Sequence, residues 1–145
     1  DYLEEPDMFH DVFAHVPLLA NPHYVDFFKG ISDIALKHMK NPRAIELLGR
    51  IYWFTIKFGL ICEQGDLKIY GAGIITSMGE TKNCLGQDVL HLDFDVSTVF
   101  NTGFRTDIMQ DKYFIIDSFE QLCNSLPEIE NQLQEMLAKE TKIVF

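Results

Sequence analysis

The stretch NPRAIELLGRIYWFTIKFGLI, residues 41–61, decides the fold of this chain. Asn41 followed by Pro42 is an order that begins helices, because the asparagine caps free N–H groups and proline fits the first turn. Apolar residues then recur at helical spacing, and from Ile51 onward the segment is apolar on nearly all sides. The stretch therefore predicts a long central helix over residues 42–58 that is buried.

Further helices are predicted on both sides of the central one. Asn21 and Pro22 repeat its start signal, Ser118 is a good helix cap, and Pro127 suits a first turn. Pro17 cannot continue a helix, so the first helix should end near His15. The predicted helices cover residues 6–14, 22–39, 74–86, 119–126 and 127–139.

Short strands are predicted between these helices. Alternation of apolar and polar residues, bounded by turn residues, is the pattern of a strand that is buried on one face. It occurs at residues 67–69, ahead of a tight loop over residues 71–73, and again at residues 91–100 and 112–117. We predict a single domain over residues 1–145, mainly α-helical with a few short β-strands.

Composition excludes several classes of function. The net charge is −10, and the 12 Lys and Arg residues are scattered, so a nucleic-acid surface is not expected. Thr55 and Lys57 interrupt the most apolar stretch, which is too short to span a bilayer. The 3 cysteines are far apart and fit a reducing cytoplasm better than a disulfide framework. We expect a soluble, cytoplasmic protein that binds small ligands or protein partners.

His10 and His15 form the first candidate site for chemistry. Five helical steps turn about 500°, so the two side chains converge only if the helix ends between them. Pro17 supplies a reason for that ending, and the pair could then bind a metal ion. On spacing alone, two histidines of this kind are more often surface or core residues than metal ligands.

Four longer motifs carry a family resemblance. They are EPDMFHDVFAHVPLL at residues 5–19, IYWFTIKFGLI at 51–61, IYGAGIITSMGE at 69–80 and YFIIDSFEQL at 113–122. In this order and at these separations they resemble the pterin-dependent aromatic amino acid hydroxylases, in particular the bacterial members that act on phenylalanine. The resemblance covers nearly the whole chain. It implies the C-terminal, iron-binding portion of that catalytic domain, with the upstream part absent.

The resemblance implies a set of cofactors and site residues. Fe(II) would be held by two histidines and one carboxylate, and a tetrahydropterin and O2 would supply the oxidising chemistry. His10 and His15 would be the iron ligands, and Asp11 and Tyr52 would border the pterin. The substrate pocket would be formed by Trp53, Phe58, Gly73, Thr76, Ser77 and Glu80. Trp53 favours L-phenylalanine as the substrate.

Each of these residues also has a plainer explanation. Trp53 and Phe58 would be core residues on any buried helix, and Gly71 and Gly73 need be no more than a turn. Glu80 could be a solvated acid. The other three histidines have no matching role and are expected at the surface: His23, His38 and His91.

Lys57 departs from the family pattern at the position of the carboxylate iron ligand. A lysine binds a metal only as a neutral amine, and removing its proton at pH 7 costs about 4 to 5 kcal/mol. A charged ammonium about 4 Å from the metal is repelled by roughly 4 kcal/mol per unit charge. Alternatively, Lys57 shares a solvated stripe with Arg43 and Arg50. Glu63 or Glu80 could replace the missing ligand.

Three hypotheses follow. The first is a phenylalanine 4-monooxygenase, impaired in this chain by Lys57 and by truncation, since the chain also opens without an initiator methionine. The second is a catalytically inactive descendant that binds aromatic ligands or another protein. The third is a different metal centre formed by His10, His15 and a neutral Lys57. A monomer is expected, because no heptad tail follows the last helix.

Overall fold

The computed structural model describes residues 21–143, with the side chains of residues 21–140. The predicted helix over residues 6–14, together with His10, Asp11 and His15, lies outside the described residues. Helices α1 and α2 span Pro22–Lys37 and Pro42–Tyr52. Both start as the sequence predicts, since the side chains of Asn21 and Asn41 each accept two backbone N–H groups of the first turn.

The central helix does not continue as an α-helix to residue 58. A π-helix spans Trp53–Lys57, in which the N–H of Phe58 donates to the carbonyl of Trp53 at 2.9 Å, five residues back. Thr55 adds a side-chain bond to the carbonyl of Ile51 at 2.7 Å. The wider turn changes the direction of the side chains that follow, so the seven-residue spacing from Arg50 to Lys57 no longer keeps them on one face.

A strand hairpin follows the π-helix. Strand β1, Leu60–Glu63, pairs antiparallel with β2, Asp66–Ile69. Gln64 and Gly65 form the turn with φ values of 52° and 83°, the left-handed region that two-residue hairpins require. The sequence predicted β2 but missed β1.

The rest of the described chain contains five further helices and two further strands. In chain order these elements are α3 Ala72–Ile75, α4 Met78–Asn83, β3 Leu90–Asp93, α5 Val96–Phe100, β4 Lys112–Ile116, α6 Phe119–Asn124 and α7 Leu126–Ile143. The predicted strand over residues 91–100 is wrong in its second half. The Asp95 side chain accepts the N–H of Thr98 at 2.9 Å and thereby starts α5.

The four strands separate two apolar layers. Their order is β2-β1-β4-β3, with β4 parallel to both of its neighbours. Side chains alternate across β4, so Phe114 and Ile116 join the main core, whereas Tyr113 joins a smaller cluster on the opposite face. Apolar residues of α1, α2 and α7 fill the main core. The mainly α-helical class with a small sheet is confirmed.

Two negative findings concern this described part of the chain. Across residues 21–143, no helix has the length and apolar character needed to cross a membrane. Cys62, Cys84 and Cys123 are free thiols within these residues.

Candidate functional site

An open cleft of about 660 Å³ lies on the sheet face that carries the smaller apolar cluster. Its walls come from the π-helix, from α3 and α4, and from the loop ahead of β4. The lining residues are Trp53, Lys57, Phe58, Gly73, Ser77, Gly79, Glu80, Thr106, Asp107, Ile108, Met109 and Gln110. The cleft therefore brings together residues that are up to 57 positions apart in sequence.

Two glycines allow the α3 segment to lie against the end of the π-helix. A Cβ at Gly71 would come within 2.5 Å of the Lys57 carbonyl oxygen, and one at Gly73 within 2.9 Å of the same atom. A Cβ at Gly73 would also meet the ring of Phe58 at 2.9 Å. Only residues without side chains fit here. This close approach sets Lys57 and Phe58 beside α3, so the Gly-Ala-Gly run is a packing requirement as well as a turn.

Aromatic rings form one wall of the cleft. The ring centroid of Trp53 lies 4.6 Å from that of Phe58, and 4.3 Å from that of Phe104 with the planes only 9° apart. Phe58 is buried and Trp53 is half-buried, in contact with both apolar clusters. Such a wall favours a flat apolar ring as a ligand.

Glu80 is held at the base of the cleft by two donors. It is 4% exposed, and its carboxylate accepts the backbone N–H of Gln110 at 2.8 Å and the hydroxyl of Tyr113. Burial and the bond to Glu80 raise the pKa of Tyr113 well above its ordinary value, so this hydroxyl remains a donor. The interpretation of Glu80 as a solvated acid is wrong.

Gln110 links the aromatic wall to this carboxylate. Its side-chain oxygen accepts the indole N–H of Trp53 at 3.0 Å, and its side-chain nitrogen donates to the Arg105 carbonyl at 2.9 Å. Asn83 donates to the Gln110 carbonyl at 2.7 Å and to the Tyr113 hydroxyl at 2.8 Å. Sequence reasoning did not assign Gln110, Asn83 or Tyr113 to the site. Gln110 lies in the loop before β4, which shows no periodicity, and Asn83 lies outside the quoted motifs. Tyr113 opens the YFIIDSFEQL motif but was interpreted only as a strand residue.

The charged groups of the cleft differ in how they are compensated. Asp107 forms an ion pair with Arg105 at 2.6 Å, which holds the pKa of the Asp107 carboxyl below its usual value. Glu80 has its two donors. Lys57 lines the cleft and is half-buried. No acidic side chain of the described residues lies within 4.0 Å of its ammonium.

Lys57 does not share its surroundings with Arg43 and Arg50. Arg43 pairs with Glu140 at 2.9 Å, and Arg50 donates to the Phe100 carbonyl at 2.5 Å, both on the side of the main core. The sequence also allowed a solvated stripe shared by Lys57 and these two arginines. That interpretation is wrong for Lys57, because the π-helix places Lys57 in the cleft, away from the face that carries Arg50.

Not every predicted site residue lines the cleft. Tyr52 packs against the main core, and the hydroxyl of Thr76 donates to the Ala72 carbonyl at 3.0 Å, at the end of α3. Ser77 lines the cleft and also caps α4 by accepting the N–H of Glu80 at 3.3 Å. His23 and His91 are exposed as expected, and His38 is half-buried.

The described residues do not supply a donor set that fits Fe(II). Among residues 21–140, no three His, Cys, Asp or Glu side chains are grouped so that they could hold a metal ion. The lysine stands where the resemblance expects a carboxylate, and an ammonium is no ligand. Glu80 is already bonded within the protein, and Glu63 lies at the exposed end of β1, 3.7 Å from Lys68.

The cleft and the motifs agree with one protein family. The family model for biopterin-dependent aromatic amino acid hydroxylases matches residues 1–142. This chain belongs to that family. Among its relatives is the phenylalanine-4-hydroxylase of Chromobacterium violaceum, 45% identical over 126 residues, which are 86% of this chain and 42% of the relative. The Drosophila melanogaster protein henna is 35% identical and is covered over 29% of its length.

Solved structures of the bacterial relative have the same fold. The C. violaceum phenylalanine hydroxylase with bound Fe(III) matches with a TM-score of 0.82 at 40% identity, covering 90% of this chain and 47% of that one. A second structure of the relative, with iron and oxidised 7,8-dihydrobiopterin, has a TM-score of 0.81. The cofactors predicted from the sequence, Fe(II) and a tetrahydropterin, agree with those of this relative. The chain spans less than half the length of these relatives.

Proposed function

We propose that this chain is the C-terminal, iron-side portion of a phenylalanine 4-monooxygenase, which converts L-phenylalanine to tyrosine with a tetrahydropterin, O2 and Fe(II). The main support is the cleft, where five of the six residues predicted to form the substrate pocket converge: Trp53, Phe58, Gly73, Ser77 and Glu80. Phenylalanine-hydroxylating relatives that match most of this chain are the second support.

In this proposal the described residues hold the substrate ring. Trp53 and Phe58 provide the apolar wall, and Gln110 fixes the indole by accepting its N–H at 3.0 Å. Glu80 keeps the loop before β4 in contact with α4 through the N–H of Gln110. A rigid wall of this kind orients a ring for attack at one carbon.

Iron would bind through His10 and His15, and the pterin would contact Asp11 and Tyr52. Iron supplies the chemistry that activates O2, and the pterin supplies the electrons. Because Lys57 offers a cation where a third, anionic ligand is expected, iron binding in this chain is proposed to be severely weakened. It stays a prediction that the protein is a monomer with a single domain, that it is cytoplasmic, and that it binds neither nucleic acid nor membrane.

The test is an anaerobic calorimetric titration of Fe(II) into the parent chain, Lys57→Glu and Lys40→Glu. Lys40 is exposed in the turn between α1 and α2, so its replacement makes the same change of charge away from the cleft. Removing the repulsion and adding a carboxylate should tighten binding by at least about 100-fold in Lys57→Glu only.

The possible results distinguish metal coordination at position 57 from a general effect of net charge. Tight binding confined to Lys57→Glu supports the iron site at this position. Equal binding by the parent and Lys57→Glu means that Lys57 is not near the metal, and the proposed ligand set is then wrong. If Lys40→Glu gains as much affinity as Lys57→Glu, the effect is one of net charge and not of coordination.

A further inference from the structure

Among the described residues that line the cleft, one charge has no ion-pair or hydrogen-bond partner, and that charge is positive. Of its charged lining residues, Asp107 is paired with Arg105 at 2.6 Å and Glu80 accepts bonds from Gln110 and Tyr113. Lys57 has no acidic partner within 4.0 Å among the described residues. A half-buried ammonium without a partner is a favourable place for an anion to bind.

Lys57 lines the same cleft as the aromatic wall of Trp53 and Phe58. Lys57 precedes Phe58 in sequence and follows Trp53 by one turn of the π-helix, and the rings of Trp53 and Phe58 are 4.6 Å apart at their centroids. A ligand that has both a flat ring and an anionic group on a short linker could therefore contact the wall and the lysine at once. The cleft of about 660 Å³ has room for a molecule of that size.

We propose that in this chain Lys57 binds the carboxylate of an aromatic acid directly, with the ring of the acid against Trp53 and Phe58, and that no metal is needed for this binding. The proposal rests on the proposed function only in taking the cleft as the pocket for an aromatic ring. It differs in giving the lysine a ligand of its own. A neutral ligand with the same ring should bind less tightly, because it leaves the ammonium unpaired.

The test uses 3-phenylpropionate and its neutral amide, 3-phenylpropanamide, in buffer that contains a metal chelator. Trp53 is the only tryptophan of the chain, so its fluorescence reports directly on the cleft wall. The parent should bind the acid at least about tenfold more tightly than the amide, the gain expected from one charge-assisted hydrogen bond. Addition of Fe(II) in place of the chelator should leave this preference unchanged.

Three variants show where the preference comes from. Lys57→Met removes the charge and keeps the length of the side chain, so acid and amide should bind alike. Lys57→Arg and the surface control Lys40→Met should keep the preference. Unchanged amide affinity in Lys57→Met shows that the cleft is intact in that variant.

Several results would overturn the proposal. They are equal affinity of acid and amide for the parent, no binding of either by the folded parent, and a preference for the acid that persists in Lys57→Met. The iron titration is independent of this test. If Lys57→Glu binds no iron while the parent prefers the acid, the proposed iron site fails and the carboxylate site stands.

Discussion

At the scale of single residues, the cleft depends on a buried carboxylate that has no cationic partner within 4.0 Å in the part of the chain that the structure describes. Glu80 accepts the N–H of Gln110 at 2.8 Å and the hydroxyl of Tyr113, and Asn83 donates to the same hydroxyl at 2.8 Å. Buried polar groups of this kind are stable only while each keeps its hydrogen bonds. The network is therefore expected to fail as a unit when one member is removed.

A double-mutant cycle tests that coupling. Tyr113→Phe removes one donor to Glu80, and Glu80→Gln replaces an acceptor, so each should lower the free energy of unfolding by about 1 to 3 kcal/mol. The double variant should cost less than the sum, with a coupling of roughly 1 kcal/mol or more. Denaturant unfolding measures the free energy of unfolding of all three variants. Glu135→Gln is the control, because Glu135 is exposed on α7, and it should change that free energy by less than about 0.5 kcal/mol. Strictly additive losses would contradict the coupling.

Cys84 gives a second prediction at this scale. Burial, together with the nearby Glu80, raises the pKa of its thiol to about 11. Because the ordinary value is 9.0, the unfolded chain loses this proton first, and the contribution to stability falls as pH rises from about 9 to about 11. Near pH 8 a thiol reagent should label the half-buried Cys62 and Cys123 well before Cys84, as mapped by mass spectrometry. Equal labelling rates for all three would be inconsistent with this.

At the scale of elements, the π-helix is the feature that turns the central helix into a wall of the site. It connects α2 to β1 at Gly59, whose N–H donates to the Thr55 carbonyl at 2.9 Å. The carbonyl of Gly59 accepts the N–H of Gly71 at 3.0 Å, which ties β1 to the segment that precedes α3. The geometry of Lys57 and Phe58 thus depends on the tight packing of this junction.

Two glycine substitutions compare that junction with an ordinary helix. A Cβ at Gly59 would clash with the ring of Tyr70 and the Thr55 carbonyl, so Gly59→Ala should lower the free energy of unfolding by about 1 to 3 kcal/mol. A Cβ at Gly49, inside α2, meets nothing within 4 Å, so Gly49→Ala should raise it by about 0.5 to 1 kcal/mol. Thermal or urea unfolding measures both. The same sign for the two variants would contradict this description of the junction.

At the scale of the whole molecule, apolar contact and not surface charge attaches α7 to the other helices. Ile129 and Leu133 of α7 are fully buried in the main core. Ion pairs also join α7 to α1 and α2, from Lys37 to Glu130 and from Arg43 to Glu140, each at 2.9 Å. The Arg43 and Glu140 side chains are 36% and 38% exposed, so water screens much of their attraction.

Apolar contacts and ion pairs of α7 should contribute unequally to the free energy of unfolding. Leu133→Ala removes buried methyl groups and should cost about 2 to 5 kcal/mol of unfolding free energy. Glu140→Gln should cost less than about 1 kcal/mol, and less still at high salt. Urea unfolding at low and high ionic strength gives both values. A larger loss from Glu140→Gln than from Leu133→Ala would mean that charge fixes this helix.

The sequence alone determined where α1 and α2 begin, the mainly helical class and the family that the chain resembles. The Asn-Pro starts of α1 and α2, the caps and the apolar periodicity are local properties, and they predicted these elements because each depends on residues a few positions apart. Cleft residues such as Trp53, Phe58 and Glu80 were found through motifs that are continuous in sequence.

Only the tertiary structure decided the direction of Lys57 and the members of the cleft that motifs do not mark. The π-helix, the strand β1 and the start of α5 at Asp95 all depend on hydrogen bonds or pairing that periodicity does not encode. Gln110 reaches Trp53 and Glu80 across 57 and 30 positions of sequence. Contacts over such separations exist only after the chain has folded, since packing of the sheet and of the loop before β4 brings the residues together.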